Sequence, residues 1–390
     1  MSQREALEFG PIRNDEIAPV SELIEQALTF TPGTIAPWLE AIGHEHMRVV
    51  RRAGRPVAGM SVIQLGHYFG GRSVPAGGIT AVGVAPDQRG SGVGLFMLQQ
   101  SLLDLQRAGL PLATLYPATT TFYRRVGFER AAYRIIYEVP LGAIGVRDYT
   151  LDANRATPAE YPLIKQLYAQ QAAQSPAFMD RPDFYWDNVL EPKEKRSYHF
   201  IVHRNGMPEG YVIFRHATSG EPLQVRDWVA LTADAGRRIL TLLGDHRSII
   251  ELMHLPGNAN DRLLFLMPEQ KYKAHWSLDL MLRILDVTHA LEARGYPPGV
   301  HTELHLAVQD DLLANNQGNF VLRVADGRGQ VQPGGNGTLP IHIRGLAALY
   351  AGYLTPSALQ AAGLLAGPPE AIAAASMAFA GPLPWLPDMF

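Results

Sequence analysis

Apolar residues recur three and four apart at Leu95, Leu98, Leu102 and Leu105, which predicts a helix with one buried face. Gly109 and Pro111 stop it. Just upstream, residues 79–84 (ITAVGV) read as an apolar strand, and Pro86 ends it. Strand and helix are joined by a loop that holds Arg89, Gly90, Gly92 and Gly94. Around this centre the pattern predicts a helix over 15–27 and a hairpin of 47–52 with 57–64, turning at Ala53-Gly54-Arg55-Pro56. A strand over 112–116, a short helix around Tyr123 closed by Gly127, and a strand over 134–139 follow. This order predicts a mixed sheet with a helix crossing near its middle.

The pattern then repeats. Residues 199–213 resemble the first hairpin, and Gly206 lies 152 positions after Gly54. A strand over 227–231 leads through Thr232-Ala233-Asp234-Ala235-Gly236 into a helix over 237–243. This second loop has one glycine, and its carboxylate would repel a phosphate. From residue 281 the character changes. A helix over 288–294 precedes strand-like runs at 303–308, 319–324 and 339–343. Alanine-rich helices are predicted over 345–353 and 356–364.

The glycine loop carries the first chemical signal. Successive backbone N–H groups cradle a phosphate only where no Cβ blocks the approach, and the helix N-terminus adds partial positive charge. Gly90, Gly92 and Gly94 supply that clearance, so a phosphorylated ligand is expected; the competing reading is a glycine-rich surface turn. No Gly-Lys-Ser/Thr follows, and the dinucleotide fingerprint is not matched.

Composition narrows the classes. With 390 residues, two or three domains are expected. The chain is 47% hydrophobic and 18% charged, as in soluble globular proteins. A net charge of −3 predicts neither a nucleic-acid nor a membrane partner. There is no cysteine, which excludes disulfides, thiolate metal sites and an acyl-cysteine intermediate. No apolar run is long enough to span a membrane, and residues 1–5 show no signal core, so the cytoplasm is expected. His44-Glu45-His46 lacks a third ligand, and no metal is expected there.

Two motifs in order carry a resemblance. Arg89-x-x-Gly92-x-Gly94 resembles the pyrophosphate-binding motif of the GNAT superfamily of acetyl-CoA-dependent acyltransferases. Phe122-Tyr123-x-x-x-Gly127-Phe128 resembles its second motif, with a tyrosine near the thioester sulfur. The 281–390 region resembles a sterol-carrier-protein-like α+β domain. The order of domains and the C-terminal tail resemble the Eis-like (enhanced intracellular survival) acetyltransferases over the whole chain. The expected fold is therefore α+β: a catalytic GNAT domain over 1–147, a degenerate one over 148–280, and the sterol-carrier-like domain over 281–390.

The tail reads Gly381-Pro382-Leu383-Pro384-Trp385-Leu386-Pro387-Asp388-Met389-Phe390. Burying a large apolar side chain is worth ~1.5–3 kcal/mol, so Trp385, Leu386, Met389 and Phe390 are expected to dock. On residues alone the tail could simply pack an interface. The resemblance implies that the Phe390 carboxylate enters the first domain's active site. It also implies that Val82, Gly83 and Val84 offer backbone groups to the pantetheine arm of acetyl-CoA, that Arg89, Gly90, Gly92 and Gly94 hold its pyrophosphate, and that Tyr123 protonates the leaving thiolate. An α-carboxylate of pKa ~3.3–3.7 is a feeble base, so Phe390 would mainly orient a neutral amine. The acceptor implied is a bulky cationic amine, aminoglycoside-like or polyamine; a protein lysine, or a lipid or CoA carrier without catalysis, are the alternatives. A homo-oligomer, typically a hexamer, is implied as well. Glu22, Glu25, Glu40 and Asp388 are either pocket carboxylates or solvated charges, and Trp38 either lines the pocket or packs. Arg51-Arg52 reads as a solvated pair, and Arg124 or Arg125 could touch a CoA phosphate.

Overall fold

A computed structural model of the chain describes residues 6–192, 196–216 and 220–390. The signal-core reading falls on residues 1–5 and lies outside them.

The first unit runs β1 (Leu7–Pro11), α1 (Ile17–Leu28), α2 (Ile35–Ile42), β2 (Met47–Arg52), β3 (Arg55–Phe69), β4 (Arg72–Val84), α3 (Val93–Arg107), β5 (Leu112–Leu115), α4 (Thr120–Arg124) and β6 (Glu129–Pro140). The second runs β7 (Asp152–Arg155), α5 (Tyr161–Ala172), β8 (Met179–Asp180), α6 (Asp183–Leu190), β9 (Tyr198–Arg204), β10 (Met207–Arg215), β11 (Leu223–Ala230), α7 (Ala233–Gly244), β12 (Leu252–Gly257), α8 (Arg262–Phe265) and β13 (Lys273–Ile284). The third runs α9 (Val287–Ala293), β14 (Thr302–Gln309), β15 (Gly318–Ala325), β16 (Arg328–Pro333), β17 (Leu339–His342), α10 (Ile343–Ala351), α11 (Pro356–Ala361) and α12 (Pro369–Ala378).

Among the described residues, thirteen strands join one sheet in the order β1-β2-β3-β4-β5-β13-β6-β12-β11-β10-β9-β7, with β8 on β3. The two units repeat one design. In each, a parallel pair (β4 with β5, β11 with β12) is bridged by a crossing helix, α3 or α7. Their last strands are exchanged. β13 closes the second unit in sequence but pairs with β5 of the first, Met281 opposite Leu115. β6 closes the first but pairs with β12 of the second, Tyr137 opposite Leu255. β6 and β13 pair with each other at the centre. The cores follow the exchange: Met281 packs with Leu98, Leu102 and Phe128, while Ile135 and Val139 pack with Tyr211 and Leu240. The boundary expected at 280/281 therefore falls inside β13, where Met281 belongs to the first unit's core while Leu280, Leu282 and Ile284 pack in the core shared with the C-terminal unit.

The C-terminal unit is a four-stranded sheet, β16-β15-β14-β17, covered by α10 and α12. β16 and α12 were not anticipated; α12 is alanine-rich and weakly periodic, with only Ile372, Ala375 and Ala378 buried. Arg51 also departs from its reading. It is 1% exposed and paired with Glu16, so it is a core ion pair and not a solvated cation.

Candidate active site

The site begins where β4 and β5 separate. Their parallel pairing ends at Ile79 opposite Leu115. Against β3, Thr80 faces Ser61 but Gly83 faces Gly59, so β4 carries an extra residue. Ala81 absorbs it at φ +51°, in the left-handed region. Bulge and splay together leave residues 80–84 paired with β3 on one edge only and open a cleft of about 590 Å³.

Val82 and Val84 line that cleft with Arg89, Gly90, Gly92, Gly94 and Tyr123. Gly83 does not: its Cα faces α1, where an added Cβ would sit 3.1 Å from Ile24 Cα. Gly90 and Gly92 hold φ of +75° and +90°, and a Cβ on either would meet nothing within 4 Å. Gly92 caps α3, so the first N–H groups of a 15-residue helix have no intrahelical acceptor. Arg89 and Arg125 are the charged residues among the described lining, and no carboxylate joins them. This donor set suits a polyanion such as a diphosphate. Tyr123 is 6% exposed, between the rings of Phe122 and Phe128. Burial pushes its hydroxyl up to about 12, and that hydroxyl has no hydrogen-bond partner among the described residues. The group is therefore a neutral donor at every ordinary pH.

The tail ends on the other side of the bulge, outside this cleft. Trp385 N–H donates to Pro176 O and Leu386 N–H to Tyr133 O. Arg134 Nε donates to Pro387 O at 3.1 Å, and the Tyr116 hydroxyl donates to Asp388 O. The Phe390 ring packs 5.3 Å from Tyr116 and 6.2 Å from His67. The main-chain oxygen of Phe390 accepts from Thr80 Oγ1 at 3.2 Å. Two residues after Thr80, Val82 lines the cleft, so the terminal carboxylate and the cleft flank one bulged strand. Trp385 and Leu386 are buried as expected, but Met389 stays 50% exposed.

The matching corner of the second unit is filled. Thr232 caps α7, Asp234 is held by Arg204 at 2.5 Å and by Arg237, and a Cβ on Gly236 would meet Leu266 at 2.6 Å.

Comparison with known proteins now adds to the geometry. An acetyltransferase (GNAT) domain model matches residues 8–131, a second one matches 177–284, and a sterol carrier protein domain model matches 287–387. A solved structure of a GCN5-related N-acetyltransferase from Anabaena variabilis is 35% identical, with a TM-score of 0.95, over 99% of this chain and 100% of that one. The chain belongs to the Eis-like GCN5-related N-acetyltransferases. An uncharacterized N-acetyltransferase of Streptomyces avermitilis is 29% identical over 82% of this chain and 83% of its own. The N-acetyltransferase Eis of Mycobacterium tuberculosis is 26% identical over 77% of this chain and 78% of its own. The protein is thus an acyltransferase of α+β class, with two GNAT domains and a sterol-carrier domain.

Within this N-acetyltransferase, several expected pocket residues have other work. Asp388 is not a pocket carboxylate: it is 4% exposed and paired with Arg181. Glu25 is buried and accepts from Ile35 N–H at 2.8 Å. Glu22 and Glu40 are exposed, and Trp38 packs with the α1–α2 core. Arg124 clasps Glu129, which Arg344 also holds, so of the two arginines Arg125 is the one in the cleft. His46 contacts Val62 O through Nδ1 at 3.1 Å. Thr80, Tyr116 and Arg181 escaped the sequence reading. Each is a single polar residue whose partner lies hundreds of positions away, and no local spacing marks it.

Proposed function

We propose that this N-acetyltransferase moves the acetyl group of acetyl-CoA to a primary amine of a bulky cationic acceptor, aminoglycoside-like or polyamine, by direct attack in a ternary complex. One observation carries the reading: a carboxylate-free cleft with a phosphate-type loop and a free tyrosine hydroxyl lies across a single bulged strand from the chain's terminal carboxylate. Acetyl-CoA, when bound, supplies the activated acyl group and a thiolate leaving group. Gly90, Gly92 and the start of α3 hold the diphosphate through backbone N–H groups. The free edge of Val82 and Val84 orders the pantetheine arm and offers N–H groups to a developing oxyanion. Tyr123 donates a proton to the departing sulfur. The Phe390 carboxylate, steadied by Thr80, attracts a cationic acceptor, orients the neutral amine and, through water, takes up the proton that the nitrogen sheds as the amide forms.

The second GNAT unit serves here as scaffold, its phosphate corner closed by Asp234 and Leu266. The acceptor class, a cytoplasmic setting and a homo-hexamer rest on the Eis-like resemblance. No helix among the described residues is long and apolar enough to cross a membrane.

The test is CoA release from acetyl-CoA with aminoglycosides, polyamines and a lysine peptide, with mass spectrometry of products. Acetylated aminoglycoside or polyamine supports the proposal. Turnover with the peptide alone makes the enzyme a protein lysine acetyltransferase, and no turnover across the panel overturns the reading. Light scattering checks the assembly.

A further inference from the structure

A second cavity, of about 490 Å³, lies where the three units meet and shares no lining residue with the acetyl-transfer cleft. Its walls come from the β3–β4 turn, the segment after α5, the segment after α9 and the end of the last helix. The lining is largely apolar or backbone, and one cation stands in it: Arg294.

Arg294 is unlike the other buried arginines. Among the described residues, Arg51, Arg181 and Arg283 each face a carboxylate, at 2.5 to 2.7 Å. Arg294 is 5% exposed and has no acidic partner among the described residues. Its Nε donates to Gly295 O at 3.0 Å and its Nη1 to Tyr350 O. The rings of Tyr296, Tyr350 and Phe379 surround the guanidinium carbon at 4.9, 5.0 and 4.8 Å. That cage orients the fork rigidly but supplies no counter-charge. Nη2 has no acceptor among the described residues. Burial without a counter-ion is unfavourable for a guanidinium, and it is usually met by an anion.

The contact that frames this wall leaves no slack. Gly295 N–H donates to Phe69 O at 3.0 Å, and a Cβ on Gly70 would sit 2.1 Å from Gly295 O. The cavity is therefore built by backbone packed against backbone, with the arginine fixed beside it.

We propose that this cavity is a binding site for a small apolar carboxylate, its anionic head paired with Arg294 and its hydrocarbon body against the apolar walls. A charge-assisted hydrogen bond from the remaining nitrogen, Nη2, suits an anionic head such as a carboxylate, and the volume is that of a small-molecule site. The inference does not depend on the acetyl-transfer reading.

Isothermal titration of the full-length protein with decanoate, decanol and decylamine tests it. Decanoate is expected to bind, with decanol and decylamine weaker by roughly tenfold or more. Arg294→Met should remove that preference and leave decanol unchanged. Ala380→Trp, on the exposed rim of the cavity, should abolish decanoate binding with Arg294 intact and the melting temperature unmoved; it decides the matter if Arg294→Met fails to fold. Equal binding of the three amphiphiles, no decanoate binding, or full binding by a folded Ala380→Trp protein would each overturn the proposal.

Discussion

Arg181 and Asp388 meet in a bidentate pair, Nε to Oδ2 at 3.0 Å and Nη2 to Oδ1 at 2.7 Å, two residues before the terminal carboxylate. Arg181 stands between β8 and α6 of the second unit, is fully buried, and holds Asp227 with its remaining nitrogen at 2.6 Å. Tyr168 and Trp186 stack on its guanidinium. The second unit thus grips the tail that ends against Thr80 of the first. Asp388→Ala leaves Arg181 paired with Asp227 but frees the tail. A displaced carboxylate should cut kcat by about a hundredfold while KM for acetyl-CoA stays within about twofold. Arg181→Met strands two buried carboxylates, and should cost about 3–5 kcal/mol of stability on top of the same kinetic loss. Steady-state kinetics beside denaturant melts separate the two; an equal loss of acetyl-CoA affinity would contradict the tail's role.

The seat of the terminal ring gives a steric test of the same idea. A Cβ on Gly78 would lie 2.9 Å from Phe390 Cε2 and 2.6 Å from Leu65 Cδ2. Gly78→Ala should therefore push the ring, cost about 1–3 kcal/mol, and lower kcat without moving KM for acetyl-CoA. Unchanged kcat in a folded variant would show that the ring's position does not matter to turnover.

The sequence made some of this legible and hid the rest for physical reasons. The glycine loop, α3 and the β2–β3 hairpin announce themselves, because turn chemistry and periodicity are local. The exchange of β6 and β13 does not, since both read as ordinary strands and register is set by partners more than a hundred residues away. Asp388 and Arg51 looked like surface charges for the same reason: Arg181 and Glu16 are not their neighbours in sequence. The tail's apolar character was visible, but the residues that receive it, Thr80 and Tyr116, were not.

The phosphate loop can be tested through backbone strain. Gly92 (φ +90°) and Gly109 (φ +79°) flank α3, and a Cβ on either meets open space. Alanine at each forces a side chain into the left-handed region, at about 1–3 kcal/mol. Gly92→Ala should also raise KM for acetyl-CoA by roughly tenfold, because it disturbs the amides at the head of the helix. Gly109→Ala, at the far end, should leave KM alone. Matching KM values for the two variants would remove the loop from cofactor binding.

Acid should loosen the strand beneath Phe390. His67 is wholly buried; Nδ1 lies 2.9 Å from Ala177 O and Nε2 3.1 Å from Thr114 Oγ1. A carbonyl only accepts, so Nδ1 carries the proton and Nε2 accepts from the threonine. Burial lowers the imidazole pKa from 6.5 to about 4. Between these values the unfolded chain binds a proton that the folded protein refuses, so stability rises with pH. It is complete above the unfolded value and falls by about 3 kcal/mol as pH drops through the window. Urea melts from pH 7 to 4 should show this slope, and His67→Asn should flatten it.

Tyr123 is the residue whose loss separates chemistry from binding most sharply. Its ring is held by Phe122 and Phe128, so Tyr123→Phe keeps the packing and removes only the hydroxyl. A general acid contributes about 10²–10⁴-fold, so kcat should fall in that range with KM for acetyl-CoA nearly constant. Because burial holds the hydroxyl at about 12, the wild-type rate should climb with pH as the acceptor amine loses its proton, with no descending limb before the strongly alkaline range. A limb near pH 9 that vanishes in Tyr123→Phe would mean the phenol titrates far lower than its burial allows. A variant with undiminished kcat would show that the thiolate leaves without its help, and the acid would have to be sought among water or the backbone of α4.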